Sequence, residues 1–176
     1  MSIVPKLSPT YKMPFKRRRL GKTDYQQRLQ LLSSQKPRLV VRKTLKYVTA
    51  QIVQFDKNGD KTLLSANSRA LKKLGWTFSC DNLPAAYLTG LALGKIAKQN
   101  KIDEVILDAG LYPSTKGSKI YAVAKGAIDS GLKINVSAEI LPSEERIKGQ
   151  HVASYLEKFK ALPENFEKIK KQIIGG

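Results

Sequence analysis

The sequence is poor in the residues from which catalytic and metal sites are usually built. Cys80 is the single cysteine and His151 the single histidine among 176 residues. One residue of each type cannot supply an intramolecular disulfide or a Cys/His zinc cluster. His151 has no serine or cysteine motif around it and is interpreted as a surface residue, and Cys80 as a small buried hydrophobe.

Long apolar runs and nucleotide-binding motifs are missing too. No stretch approaches the roughly 20 apolar residues that a membrane span needs. The N-terminus lacks the apolar stretch of a secretory signal, and "GLYPSTKGSK" does not have the G-x-x-x-x-G-K-[ST] spacing of a phosphate-binding loop. We therefore expect a soluble protein of the cytosol with no membrane partner and no cofactor.

Acidic residues are scarce, above all near the N-terminus. The chain has 32 Lys and Arg against 14 Asp and Glu, a net charge of +18. Residues 1–50 contain thirteen of the bases and a single acid, Asp24. Charges of one sign at this density repel one another, so the excess is typical of a protein whose partner is a polyanion. Nucleic acid is the first candidate and an anionic membrane surface the second.

The segment "YKMPFKRRRLGKTDYQQRL" concentrates this charge. An arm of this kind can lie along phosphates and release their counterions, and the planar fork of arginine bonds phosphate bidentately. A solvated charge run or a nuclear-import signal are the alternatives. A membrane-bound helix is less favoured, because Met13, Phe15 and Leu20 form no helical stripe.

The hydrophobic pattern predicts an α/β fold with a mixed sheet, in which three antiparallel strands are followed by a strand–helix–strand crossover. A short helix is predicted after Thr23, which with Gln26 resembles a capping box. The antiparallel strands are "PRLVVRKT", "YVTAQIVQF" and "KTLLSA", the last two joined by an Asn-Gly turn in "DKNGD". A short helix in "NSRALKKLG" and a longer one from Leu83 come next. The strands "DEVILD" and "LKINV" then flank a further helix.

The remaining pattern is helical. Gly90 and Gly94 on the longest predicted helix favour close packing of that helix on the sheet. Two short amphipathic patterns follow near the C-terminus, one through Val152, Tyr155, Leu156 and Phe159 and the other through Phe166, Ile169 and Ile173. We divide the chain into a basic extended arm over residues 1–21, an α/β RNA-binding domain over 22–141 and a helical C-terminal extension over 142–176.

The first strand carries cations on one of its two faces. Alternation places Arg38 and Arg42 on the same face, with Lys43, Lys46 and Tyr47 at the turn that follows. A sheet face with basic residues and a nearby aromatic is typical of an RNA platform. An edge strand protected by its charges accounts for the pattern equally well.

The loop "YPSTKGSK" is a second place where a phosphate can bind. It joins a strand end to a helix start and offers hydroxyls, Lys116, Lys119 and free backbone N–H groups. A plain connecting loop is the alternative.

A metal-dependent nuclease is the enzymatic alternative for so basic an α/β protein. Such enzymes gather acids on strands to hold two Mg²⁺ ions. The first strand has no acid, and Asp56 and Asp60 flank a hairpin turn that explains them better. Asp108 alone lies at a strand end, and one carboxylate does not hold two metals. A chromatin-type DNA binder is a further, weaker alternative.

Four separate segments, in order, resemble a known family. They are "RRRLGKTDYQQRLQLLSSQKPRLVVRKTLKYVTAQIV", "AAYLTGLALGKIAK", "LDAGLYPSTKGSKIYAVAKGAIDSGL" and "ERIKGQHVA". Their order and spacing are similar to those of the large-subunit ribosomal proteins that bind 5S rRNA, called protein eighteen in archaea and protein five in eukaryotes. The similarity runs from Lys12 to Tyr155, and the length resembles the archaeal form.

The resemblance implies a structural component of the large subunit's central protuberance, without catalytic activity, that anchors 5S rRNA beside other ribosomal RNA and proteins. It implies that the basic arm and the sheet side after it hold the RNA. The candidate RNA-binding residues are Lys12, Lys16, Arg17, Arg18, Arg19, Lys22, Tyr25, Arg28, Arg38, Arg42, Lys43, Lys46 and Tyr47, with Lys116 and Lys119 in the loop.

Overall fold

The computed structural model describes residues 9–175 as an α/β structure, which confirms the predicted fold class. The first eight residues of the predicted arm lie outside the described residues. The strands are β1 (Arg38–Lys43), β2 (Val48–Gln54), β3 (Lys61–Asn67), β4 (Glu104–Asp108) and β5 (Lys133–Ile134). The α-helices are α1 (Lys16–Arg19), α2 (Tyr25–Ser33), α3 (Leu83–Gln99), α4 (Lys119–Asp129), α5 (Glu144–Lys148), α6 (Gln150–Tyr155) and α7 (Leu162–Gly175).

The five strands form one mixed sheet in the order β3-β2-β1-β4-β5. β1 pairs antiparallel with β2, and β2 with β3, while β4 runs parallel to both β1 and β5. The predicted antiparallel strands and the crossover from β4 through α4 to β5 are therefore confirmed. β5 is shorter than "LKINV" suggested, with two paired residues.

One face of the sheet forms the core together with α3 and α4. Leu39 and Val41 of β1 and Val48, Ala50 and Ile52 of β2 are completely buried in a single apolar cluster with these helices. The alternation of side chains along β1 is therefore present in the structure as the sequence predicted it. It leaves Arg38, Val40 and Arg42 on the opposite face.

α3 and α4 pack against each other unusually closely, and glycines make this approach possible. A Cβ on Gly90 would lie 2.1 Å from the carbonyl oxygen of Val123, and one on Gly126 would lie 2.1 Å from that of Tyr87. A Cβ on Gly94 would meet the hydroxyl of Ser130 at 1.8 Å. The expectation that Gly90 and Gly94 serve helix–sheet packing is therefore wrong. They serve helix–helix packing.

The β2–β3 hairpin exists, but its loop differs from a two-residue Asn-Gly turn. The strands end at Gln54 and resume at Lys61, and the turn is closed by the N–H of Gly59 donating to the carbonyl of Asp56 at 3.1 Å. Gly59 has a positive φ of 144°, whereas Asn58 does not have one. A two-residue type I′ turn needs positive φ at both residues, so the longer loop replaces it. This loop brings Asp60 to the edge of the open sheet face.

The predicted short helix after β3 is a 3₁₀-helix over Ser68–Leu74. Asn67 caps it by accepting a hydrogen bond from the N–H of Arg69 at 2.8 Å, and Gly75 ends it with φ of 92°. Asn67 and Gly75 are the first and last residues of the segment "NSRALKKLG", so the structure confirms the predicted extent of this helix.

The C-terminal segment adds to the same core. Phe166, Ile169 and Ile173 of α7 are buried in the apolar cluster, and the ring of Phe166 lies 5.6 Å from that of Tyr87 on α3. The second amphipathic pattern is thus confirmed. The first is wrong in part, because its Tyr155 is 85% exposed at the end of α6. The second helix of the predicted C-terminal extension thus packs against the core of the preceding residues.

Candidate nucleic-acid interface

α2 begins where an aspartate caps it. Asp24 Oδ1 accepts hydrogen bonds from the backbone N–H groups of Gln26 at 2.9 Å and Gln27 at 3.2 Å. The expected capping box at Thr23 is therefore one residue too early. Thr23 instead accepts a hydrogen bond at 2.9 Å from Nε of Arg17, which fastens the arm to the start of α2.

The arm is not extended throughout, because "KRRR" forms the single helical turn α1. Each of its four residues is exposed. The ring of Phe15, just before the turn, lies 5.5 Å from the ring of Tyr25 on α2. The arm thus folds back toward α2 and holds its cations in solvent.

Five charged side chains of alternating sign form a continuous chain across the open sheet face, here called the ion-pair chain. Arg28 Nη2 donates to Asp60 Oδ1 at 2.8 Å, and Arg38 Nη2 donates to Asp60 Oδ2 at 2.7 Å. Arg38 Nη1 donates to Asp108 Oδ2 at 2.8 Å, and Arg42 Nη2 donates to Asp108 Oδ1 at 3.2 Å. The chain links α2, the hairpin loop, β1 and the end of β4.

The sheet register explains how one carboxylate reaches two arginines. Asp108 of β4 pairs with Val40 of β1, so it lies between Arg38 and Arg42 on the same face. The N–H of Gly110 also donates to Asp108 Oδ1, at 2.8 Å. Asp108 is therefore nearly buried without being an unpaired charge, which would be strongly unfavourable.

A groove of about 610 Å³ lies between α2 and the open sheet face. Gln27 and Leu31 of α2 line one side, and Val40, Gln51 and Val53 of the sheet line the other. Its cationic lining residues are Arg17, Lys22, Arg28, Arg38 and Arg42. The structure thus brings part of the predicted arm and part of the predicted strand face into one concave surface.

The acids that line this groove already accept hydrogen bonds from other groups of the protein. Asp24 caps α2, and Asp60 and Asp108 accept hydrogen bonds from arginines. Burial raises the pKa of Asp60, but the hydrogen bonds and the positive charges of Arg28 and Arg38 together outweigh it, so the pKa of this carboxyl lies below its ordinary value. Asp60 is therefore ionised at neutral pH and holds both guanidinium groups.

The predicted arm and groove residues differ in how far they are available to a partner. Arg28 is 32% and Arg42 43% exposed at the side chain, whereas Arg38 is 3% exposed and pairs with two carboxylates. Tyr25 is half-buried. The exposed members of the set are Lys12, Lys16, Arg17, Arg18, Arg19 and Lys22.

The predicted residues of the β1–β2 turn lie next to the groove rather than in it. Lys43 is exposed and its Nζ lies 5.2 Å from the ring centre of Tyr112, a groove residue. Lys46 is exposed, and Tyr47 lies under the guanidinium of Arg69 at 6.0 Å. Leu45 at the tip is 96% exposed.

The two loop lysines do not line the groove. Lys116 is 75% exposed and lies 4.0 Å from a carboxylate oxygen of Glu139. Lys119 is 33% exposed and pairs with Asp81 at 2.6 Å. The structure therefore gives them a separate surface.

The sequence reasoning missed Asp60 and Asp108 as parts of this surface. They lie 22 and 70 residues from Arg38 along the chain. A usable signal was present for Asp108, since an acid at the end of a strand parallel to a basic strand can lie beside its arginines. No local pattern pointed to Asp60.

Residues 9–175 lack two further features that would define a class. No helix in this part of the chain is both long and apolar enough to cross a membrane. Nor do three His, Cys, Asp or Glu side chains of these residues gather in a way that can hold a metal ion. Asp108, the carboxylate on which the nuclease hypothesis depends, is engaged by Arg38, Arg42 and a backbone N–H.

A mixed α/β protein with an exposed cationic arm that leads into an arginine-lined groove is, by class, a binder of polyanions. A comparison with family models specifies the class. Two segments, residues 9–105 and 92–137, match the family described as ribosomal large subunit proteins 60S L5 and 50S L18. The matched part exceeds half of the chain, and the chain belongs to this family. It is a protein of the large ribosomal subunit, and its partners are ribosomal RNA and ribosomal proteins.

Proposed function

We propose that this protein binds 5S rRNA and anchors it in the central protuberance of the large ribosomal subunit in the cytoplasm, as a structural component and not as an enzyme. The observation that carries the proposal is the continuity of the exposed arm with the groove beside α2. Arg17 of the arm and Lys22 directly after it both line the groove, and Arg28 and Arg42 extend the cationic surface across the sheet. Family membership supplies the ribosomal context.

The chemistry of this surface suits a folded RNA. Exposed lysines and arginines of the arm can follow a phosphate backbone, with each neutralised charge releasing counterions. The half-exposed guanidinium groups of Arg28 and Arg42 are held in place and can bond phosphate with their free N–H groups. We assign direct contacts to the exposed cations and a supporting role to Arg38, whose guanidinium is buried.

The remaining candidates form secondary contacts in this proposal. Lys43, Lys46 and Tyr47 extend the surface at the β1–β2 turn, where Tyr47 offers an aromatic edge. Lys116 and Lys119 in the β4–α4 loop contact a different part of the RNA. The division into arm, α/β domain and C-terminal extension then has a functional reading, in which the arm and the α/β domain hold RNA.

A filter-binding titration tests the proposal. The protein is titrated against 5S rRNA and against a control RNA duplex of equal length, each at two salt concentrations. We expect 5S rRNA to bind at least about tenfold more tightly, since specific complexes exceed non-specific ones by roughly three orders of magnitude or more. Equal affinities with equal salt slopes for the two RNAs would mean that charge attraction alone is at work.

A further inference from the structure

The two acids of the ion-pair chain are unexpected on a surface that binds RNA. A carboxylate repels phosphate, and removing it from such a surface normally strengthens binding. Asp60 and Asp108 nevertheless lie among the arginines of the groove. Their contacts give them a role that compensates for the repulsion.

The ion-pair chain is more buried at its centre than at its two ends. Asp60, Arg38 and Asp108 form the centre, and their side chains are 27%, 3% and 9% exposed. Arg28 and Arg42 form the ends and are 32% and 43% exposed. A partner in the groove therefore meets the two outer guanidinium groups, while the carboxylates between them are occupied.

The outer arginine of β1 is held at more than one point. Arg42 Nη1 donates to the carbonyls of Val41 at 2.8 Å and Asp108 at 2.9 Å, and Nη2 donates to Asp108 Oδ1 at 3.2 Å. A guanidinium has five N–H donors. Within the described part of the chain, two of them thus stay available. A long flexible side chain that is fixed in this way loses less entropy when it binds.

A glycine completes the support of Arg42. Gly110 has φ of 63°, and a Cβ at this position would lie 2.9 Å from Cζ of Arg42. The guanidinium therefore packs against a backbone that carries no side chain. Any other residue at position 110 would displace it.

The outer arginine on α2 depends on Asp60. No residue of the nine in α2 is buried, so apolar packing does little to fix this helix on the sheet. The hydrogen bond from Arg28 to Asp60 connects the helix to the hairpin loop. Without it, the wall of the groove formed by α2 would lose this connection.

We propose that Asp60 and Asp108 are positioning residues of the RNA interface, holding the guanidinium groups of Arg28 and Arg42 as a two-point clamp for phosphates of the bound RNA. The inference rests on the proposed function. According to this inference, two acidic residues strengthen the binding of a polyanion. Neither acid touches the RNA, and both act through the arginines that they hold.

The clamp and simple electrostatics predict opposite signs for one substitution. Asp60→Asn removes a negative charge from the groove, so electrostatics alone predicts tighter binding of 5S rRNA. The clamp predicts weaker binding by about tenfold, the scale of one missing charge-assisted hydrogen bond. Affinity is measured by filter binding, and thermal unfolding of the variant verifies that it is folded.

Glu104→Gln is the matched control. Glu104 is also an acid paired with a cation, Lys36, but it does not line the groove. We expect the affinity of this variant for 5S rRNA to be unchanged or slightly higher. If folded Asp60→Asn binds 5S rRNA as tightly as the wild type or more tightly, the clamp is refuted. If the wild type itself fails to prefer 5S rRNA over the control duplex, the proposed function is refuted instead.

Double variants determine whether the acid acts through its arginine. Combining Asp60→Asn with Arg28→Ala should cost no more affinity than Arg28→Ala alone, because both substitutions act on the same interaction with RNA. Additive losses would contradict this route.

Asp108 is nearly buried, so its substitution can impair folding. Gly110→Ala tests the same end of the clamp by pushing the guanidinium of Arg42 aside, with an expected decrease of about tenfold in affinity for 5S rRNA. Gly75→Ala is the control, because Gly75 has a positive φ of 92° with nothing within 4 Å. Equal affinities of the two folded glycine variants would overturn the positioning of Arg42.

Discussion

Two glycines determine how closely the helices behind the sheet approach each other. Gly90 on α3 meets the backbone of Val123, and Gly126 on α4 meets the backbone of Tyr87, each with room for a hydrogen but not for a methyl group. Backbone atoms cannot rotate away as side chains can. These residues therefore tolerate substitution less well than their small size suggests.

Gly90→Ala should destabilise the protein by about 1–3 kcal/mol, the usual cost of overpacking. Within a helix, alanine is more favourable than glycine by roughly 1 kcal/mol. A net loss of stability therefore requires a steric conflict that costs more than this gain. The free energy of unfolding is measured by urea denaturation. Gly175→Ala is the control, because Gly175 in α7 has nothing within 4 Å. An equal or higher stability of Gly90→Ala would contradict the close approach of α3 and α4.

At the scale of elements, α2 is attached to the rest of the protein mainly by polar contacts. None of its nine residues is buried, and Arg28 donates a hydrogen bond to Asp60 of the hairpin loop. The pKa of Asp60 is raised by burial and lowered more strongly by the hydrogen bonds and charges of Arg28 and Arg38 together, with a net value below 3.8. A lowered carboxyl pKa stabilises the folded state at pH values above the unfolded pKa, and this stabilisation is lost as the pH falls through the folded pKa.

The attachment of α2 should therefore persist down to about pH 3.8 and weaken below it. The carboxyl carbon shift of Asp60 and the amide shifts of α2, followed together by NMR, measure this. We expect a common midpoint below 3.8. Asp60→Asn should show no such step in α2. An Asp60 midpoint at or above 3.8 would contradict the hydrogen bonds from the two arginines.

Local patterns predicted elements well and the site less well. The alternation in β1 and β2 predicted the strands of the sheet, and the structure buries Leu39 and Val41, which repeat with the period of a strand. The same alternation placed Arg38 and Arg42 together but did not distinguish a buried ion pair from a half-exposed guanidinium. That distinction depends on Asp60 and Asp108, which the tertiary fold brings in from distant positions. The exposed Tyr155 was missed for a similar reason, since helical spacing does not show whether anything covers the face.

At the scale of the whole molecule, charge is distributed unevenly. The first 50 residues hold thirteen of the 32 basic residues and one of the 14 acids. The fold places the exposed part of this excess on the arm and beside the open sheet face. The helices α3 and α4 cover the other side of the sheet. The buried side chains of α7 pack against α3. Binding of RNA should therefore depend on where a charge lies and not on the net charge.

Two triple variants with the same charge change test this dependence. Arg17, Arg18 and Arg19 of α1 are replaced by Gln in one, and the exposed residues Lys158, Lys168 and Lys171 in the other. Each triple lowers the net charge of +18 by three. The arm variant should reduce the slope of log affinity for 5S rRNA against log salt by about 0.7–0.9 for each phosphate that is no longer neutralised, or roughly 2–3 in all. The C-terminal variant should keep nearly the wild-type slope.

The comparison separates an anchored arm from diffuse attraction. Diffuse attraction depends on total charge, so both variants would then bind more weakly to the same extent and their slopes would shift together. An arm that lies along the backbone releases counterions only where its own cations meet phosphates. Because α1 is fastened to the start of α2 through Arg17 and Thr23, removal of its cations should also weaken the binding of RNA by the groove. The affinity of the arm variant for RNA should therefore fall by more than the sum of three independent phosphate interactions. A decrease equal to that sum would indicate that the arm and the groove bind RNA independently.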